Sequence, residues 1–383
     1  MESLLEGLEE NRLDALYLFI TDVLRDAAAY RRFFDNLITV LPTCYSVHRI
    51  EVGHEFLKQI GEVDQRRVFQ IMTEIESLRT LIVSDGYVQR KDHGSVCTRA
   101  FFTELPRARS LVNLDIHRME LADRAQIELL ADAFSTMNES LEEVRLTGLF
   151  VNHEDHPKYC LDPVVETLLE MPHIRSLTLS LYPNAHDPKQ RVFSPSLLKE
   201  LCQLSTLQDL TLRSFNLDDD SCYKIAESLE STSFLTTLDL RQNKSIQRPG
   251  LSCMLNAMDQ NFASWCTVMV DDSQFQGRFM VLIELNQADR GDVVRNFSAE
   301  KFTDFVATLN SPPTPGRDPL PPSALWYFLQ LHDTCRDPLA NYLLWKERHS
   351  KAKNSRVQRK RKMNENEALI HVVPQTDSVM VRE

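Results

Sequence analysis

The sequence predicts an α/β solenoid, a stack of short parallel strands in which each strand is followed by a helix. Three observations predict it. A six-residue pattern, apolar-x-x-apolar-x-apolar, recurs along the chain, its period is nearly constant, and each copy is followed by apolar residues at helical intervals.

The clear copies begin at Leu78, Leu111, Leu141, Ile174, Leu207 and Leu235. Weaker copies begin at Val47, with Ile50 and Val52, and at Trp265, with Val268 and Val270. The successive offsets from 47 to 265 are 31, 33, 30, 33, 33, 28 and 30 residues. Side chains alternate along a strand, so the fourth and sixth pattern positions share one face. The first position packs inward at the bend before the strand. One such strand cannot bury its apolar face, whereas stacked copies share a single core.

Parallel strands need crossovers, and the intervening residues supply helices. Ile127, Leu130, Ala131 and Phe134 form an i, i+3, i+4 stripe. The same stripe recurs at Val165–Leu168–Leu169, Leu197–Leu198–Leu201, Ile225–Ala226–Leu229 and Leu251–Met254–Leu255–Met258.

A strand plus a helix every 28–33 residues resembles the ribonuclease-inhibitor-like leucine-rich repeats. The segment LTTLDLRQN, 235–243, is the best match, with Asn243 on the family's buried turn asparagine. The resemblance covers roughly residues 46–275. It implies parallel strands on a concave face and helices on a convex face. Gly86, Met119, Leu149, Tyr182 and Phe215 stand at the asparagine position elsewhere, so a continuous asparagine ladder is not expected. After the array, VLIELNQADRG (281–291), FTDFVATL (302–309) and SALWYFLQLHD (323–333) resemble the C-terminal part of uncharacterised diatom leucine-rich-repeat proteins. That likeness implies no activity.

Open solenoids need their ends covered. Residues 1–43 are expected to form a helical cap. Leu13, Leu16, Tyr17, Ile20 and Leu24 would line one helical face, and Phe33, Phe34, Leu37 and Leu41 a second. The array of about eight repeats and a capping segment would occupy 44–310. Residues 311–322 hold six prolines and read as a stiff linker. Aromatic-rich helices, with Trp326, Tyr327 and Phe328, are expected over 323–347 as a cap or a partner-binding element. A basic segment and disordered tail take 348–383.

The net charge is −12, but residues 346–362 carry nine basic residues against one Glu, which leaves about −20 on the rest. An acidic body repels phosphate backbones, so it is not expected to bind nucleic acid. The run Arg359, Lys360, Arg361 and Lys362 can be read as a nuclear import signal, a solvated helix end or a polyanion-binding tail. The eight cysteines form no Cys-x-x-Cys pair and suit a reducing compartment. MESLLEGLEENR has no basic n-region and no apolar h-region, and no stretch is long and apolar enough to cross a membrane. A cytoplasmic or nuclear monomer is the expectation.

Signals for chemistry are weak. His153-Glu154-Asp155-His156, near Cys160, is metal-like in composition but matches no zinc spacing. His117 near Asp115 fits a solvated strand face better than a catalytic pair. There is no phosphate-binding loop, dinucleotide fingerprint or nucleophile elbow. No enzyme activity, metal or cofactor is expected.

The concave face is more informative. Residues between the inward leucines include seven Arg against nine acids and no Lys. Arginine makes planar, bidentate contacts and is favoured at protein interfaces. Arg145, Arg175, Arg213, Asp239 and Arg241 are the expected contact residues for a protein partner. The alternative is that these charges pair with each other between strands. A second functional class is a regulator of an enzyme, such as a small-GTPase activator, since one ribonuclease-inhibitor-like family does this. That family carries an acidic tail, whereas this tail is basic.

Overall fold

Strands stand where the six-residue pattern places them. The structure, a computed structural model, describes residues 2–307 apart from 19–26, 54–55, 58–61, 85–95, 122, 138, 152–158, 183–191, 193, 232–233, 263, 289, 296–300 and 302–303. The chain separates into two compact units, Met1–Gln287 and Ala288–Glu383.

In the first unit the described strands are β1 (Ala15–Leu18), β2 (Arg49–Gly53), β3 (Thr80–Ser84), β4 (Asn113–His117) and β5 (Glu120–Leu121). They continue as β6 (Glu143–Val151), β7 (Ser176–Leu181), β8 (Asp209–Arg213), β9 (Thr237–Asp239) and β10 (Thr267–Met269). The helices are α1 (Glu2–Glu9), α2 (Ala27–Val40), α3 (Glu62–Thr73), α4 (Val96–Glu104) and α5 (Arg124–Thr136). They continue as α6 (Asp162–Leu169), α7 (Pro195–Gln203), α8 (Asp219–Leu229), α9 (Arg248–Gln260) and α10 (Ser273–Gln287). The strands form one open sheet in the order β1-β2-β3-β4-β6-β7-β8-β9-β10, with the short β5 beside the end of β6. Every pairing is parallel.

The register is the one the pattern dictates. Leu16, Ile50, Leu81, Leu114, Val144, Leu177, Leu210, Leu238 and Val268 lie side by side across the sheet. All nine are buried. So is the second row, from Leu18 and Val52 through Leu212. These rows and the apolar stripes of the helices form one core, because successive helices also pack on each other. Phe69 and Phe101, with ring centroids 4.9 Å apart, fill it between α3 and α4.

Helix starts are tied to their neighbours. The side chain of Asp218 accepts from Ser221 N and caps α8, and Asp123 caps α5 in the same way. Asp162, at the start of α6, also accepts from Ser194 N of the next repeat at 2.8 Å. Asp219 does the same for Gln247 N at 2.8 Å. Gly250 is required there, since a Cβ would lie 2.5 Å from Asp219 Oδ1 and 2.9 Å from Cys222 Cβ.

Two expectations need correction. The segment holding Leu13, Leu16 and Tyr17 is not one face of a helix. Ala15–Leu18 is a strand in register with β2, with Leu16 and Leu18 buried and Tyr17 53% exposed. Leu13-x-x-Leu16-x-Leu18 is itself a copy of the pattern, 34 residues before Val47. The second correction is at Trp265, which is 60% exposed, while Cys266 turns inward with no exposure. Phe33, Phe34, Leu37 and Leu41 are buried as expected.

In the second unit, α11 (Arg290–Arg295) is described, and Lys301 bonds Asp292 at 2.8 Å. Residues 311–322, 323–347 and the basic run with Arg359, Lys360, Arg361 and Lys362 lie outside the described residues. No helix among the described residues is long and apolar enough to cross a membrane.

Candidate functional site

Of the expected contact residues, Arg145, Arg213 and Asp239 lie on strands at positions facing away from the core, Arg241 follows β9 and Arg175 precedes β7. One turn geometry organises the rim of this face. Arg118, Gly148, Ser214 and Gln242 each follow the last polar position of a strand. All four have positive φ, between 57° and 66°. This left-handed residue turns the next side chain back into the core. That side chain is Met119, Leu149, Phe215 or Asn243, and all four are buried.

Asn243 is where the family resemblance placed a buried turn asparagine, and its hydrogen bonds explain it. Nδ2 donates to Leu212 O and Leu240 O, both at 2.7 Å. Oδ1 accepts from Phe215 N at 2.8 Å and Leu217 N at 3.2 Å. One side chain thus satisfies the turn of its own repeat and that of the repeat before. Where the position is apolar, main chain does this work. Arg118 N donates to Thr147 O at 2.7 Å, Tyr182 N donates to Leu149 O at 2.9 Å, and β5 pairs with β6.

The five expected contact residues fall into two groups. Arg145, on β6, is half-exposed and bonds Glu143 through Nε at 2.9 Å. Arg175 is more exposed and reaches Glu142 at 3.7 Å. Both carboxylates are themselves partly exposed. Arg213 and Arg241 instead converge on Asp239, whose side chain is only 1% exposed. Arg213 Nε donates to Asp239 Oδ2 at 2.8 Å. Arg241 donates through Nε at 2.9 Å, Nη2 at 2.7 Å and its backbone N at 3.1 Å. Burial pushes the Asp239 carboxyl up, but the hydrogen bonds from Arg241 and Arg213 outweigh it and hold it below the usual carboxylate range. The Asp239 carboxylate is thus enclosed, and the two arginines are what the surface presents.

Between these groups the face is lined by small hydroxyl side chains. Thr178 of β7 lies between Arg145 and Thr211 in register. On the other side of Arg145, Asp115 is its register partner. His117 Nε2 lies 3.1 Å from Asp115 Oδ1, and the other ring nitrogen contacts Thr147 Oγ1.

The described cysteines are poor nucleophiles. Burial pushes the Cys160 thiol up to about 11 and the Cys202 thiol up to about 12. All six described cysteines are free. A cavity of about 180 Å³ lies between Asn243, Arg248, Leu251 and Asp271. It is smaller than the roughly 300–1,000 Å³ of small-molecule pockets. No group of three or more metal-ligating side chains occurs among the described residues. His153, Glu154, Asp155 and His156 lie outside them, as does Asp85. The burial of Asp239 left no signal in the sequence beyond its place between two arginines.

No family model matches the sequence. The search of curated proteins finds no match either.

Proposed function

We propose that the first unit is a leucine-rich-repeat solenoid of the ribonuclease-inhibitor-like kind, and that it binds a protein partner through the polar face of its sheet. The shared strand register, the helix after each strand and the buried hydrogen bonds of Asn243 support the repeat assignment. One observation carries the function. Arg145, Arg213 and Arg241 stand partly exposed on one face, with Arg175 just before β7, and each is steadied by a nearby carboxylate. Guanidinia held this way lose little freedom on binding and keep donors for a partner.

Nine strands at about 4.8 Å give a face roughly 38 Å long. With a height of about 15 Å it offers roughly 600 Å², below the ~800 Å² per partner of a standard interface. A partner must therefore also touch the segments after β3, β6 and β7. Mixed charge on the face, with acids interleaved between the arginines, fits a protein better than a nucleic acid.

The test begins with capture of the partner from the native cell. A photo-reactive residue placed at Thr178, at the middle of the face, should then cross-link to it. The same residue at Glu128, exposed on α5, should not. Cross-links from Glu128 and none from Thr178 would move binding to the helical side. Capture of a small GTPase in its GTP form would instead favour the enzyme-regulator class.

A further inference from the structure

The two edges of the sheet are finished differently. At β10 two of the outward-facing backbone groups are occupied by one side chain. Val270 N donates to Gln276 Oε1 at 2.8 Å, and Gln276 Nε2 donates to Val268 O at 3.0 Å. The carboxamide of Gln276, on α10, stands in for one peptide group of a further strand and covers that part of the edge.

At β1 nothing equivalent is present. Asp14 O accepts from Arg49 N at 3.3 Å, so even-numbered residues of this strand face β2. The peptide groups of Ala15 and Tyr17 therefore face away from the sheet. Among the described residues no group bonds them. An open edge of this kind is a template for another strand.

The surroundings specify its chemistry. Residues 2–18 hold Glu2, Glu6, Glu9, Glu10 and Asp14 against Arg12 alone. Arg12 is already paired with Glu10, at 2.5 Å. The Asp14 side chain is 84% exposed. Tyr17 projects from the polar face, 53% exposed, beside Glu51 in register. A lysine or arginine on an added strand would meet an aromatic ring and carboxylates together. A second copy of this edge would bring its own acids and be repelled.

We propose that the edge of β1 is a second docking surface, which takes an extended basic segment of a partner protein as an added strand. Main-chain hydrogen bonds to Ala15 and Tyr17 supply the pairing, and the acidic flank with Tyr17 supplies the selectivity. The surface is separate from the arginine face and does not depend on it.

The probe is a capped heptapeptide alternating lysine and valine, titrated by fluorescence anisotropy against the full chain. It should bind about tenfold or more tighter than its glutamate–valine analogue. N-methylation of alternate peptide nitrogens, which removes donors from one edge, should abolish binding in one of its two registers. Tyr17→Pro removes an N–H that faces away from β2, so its melting temperature should stay near wild type while peptide affinity falls at least about tenfold. Glu9→Lys with Asp14→Lys leaves three acids against three bases over residues 2–18 and should remove the charge preference without touching the backbone. Equal affinity for the lysine and glutamate peptides would overturn the proposal. So would unchanged binding in both N-methylated registers. A concentration-dependent dimer that Tyr17→Pro dissolves would assign the edge to a second copy and overturn it as well.

Discussion

The two arginine pairs along the sheet look alike in sequence and differ in what holds them. Arg145 and Arg175 lean on Glu143 and Glu142, carboxylates that solvent also reaches. Arg213 and Arg241 share Asp239, which is enclosed at 1% exposure. Exposed ion pairs contribute about 0–1 kcal/mol. A buried carboxylate that loses its cations costs far more, because its solvent has already been removed. The first pair is therefore part of the surface alone, whereas the second is part of the fold as well. A variant of Arg213 and Arg241 cannot report cleanly on binding.

The largest effect should come from breaking that second pair. Arg213→Ala with Arg241→Ala should cost about 3–5 kcal/mol, read from denaturant midpoints. A loss under about 1 kcal/mol would mean that solvent reaches Asp239 freely. The carboxylate also sets a pH dependence. Its native value is depressed, so its contribution is fully present above the unfolded value of about 3.9 and is lost as pH falls through the depressed value. Asp239→Asn should flatten that part of the acid limb, and an acid profile identical to wild type would contradict the assignment.

Asn243→Ala should come next, at about 3 kcal/mol, since it strands Phe215 N, Leu217 N and two carbonyls in the core. Gly148→Ala is smaller. Its φ is +63°, but the nearest atom to an added Cβ is Arg118 Cγ at 3.4 Å, so only backbone strain of about 1 kcal/mol remains. A similar loss in both variants would mean that the two turns are held by the same means, which their hydrogen bonds contradict.

Those contrasts also mark how far the sequence could be read. Positions four and six of the pattern are legible because burial on one sheet face leaves a period of two. Leu210 and Leu212 show it plainly, and the register followed without adjustment. The first strand escaped because Leu13, Leu16, Tyr17 and Ile20 satisfy a helical period while Leu13, Leu16 and Leu18 satisfy the strand pattern. Pairing with β2 decided between them, and that is a tertiary contact. Trp265 misled for a related reason: an apolar residue at the right spacing need not be the one that turns inward when its neighbour Cys266 fits the space. At the site, the sequence placed Asp239 between two arginines but said nothing of its enclosure. That depends on how the strands bring three side chains together.

Arg145→Ala with Arg175→Ala is the smallest change for stability, expected within about 0.5 kcal/mol, because both side chains and their partners are exposed. It is for that reason the sharpest test of the face. Calorimetric titration of this double variant with the captured partner should show affinity weakened by about 2 kcal/mol or more, with the melting temperature unchanged. Wild-type affinity in a fully folded double variant would contradict the claim that the polar face is where the partner docks.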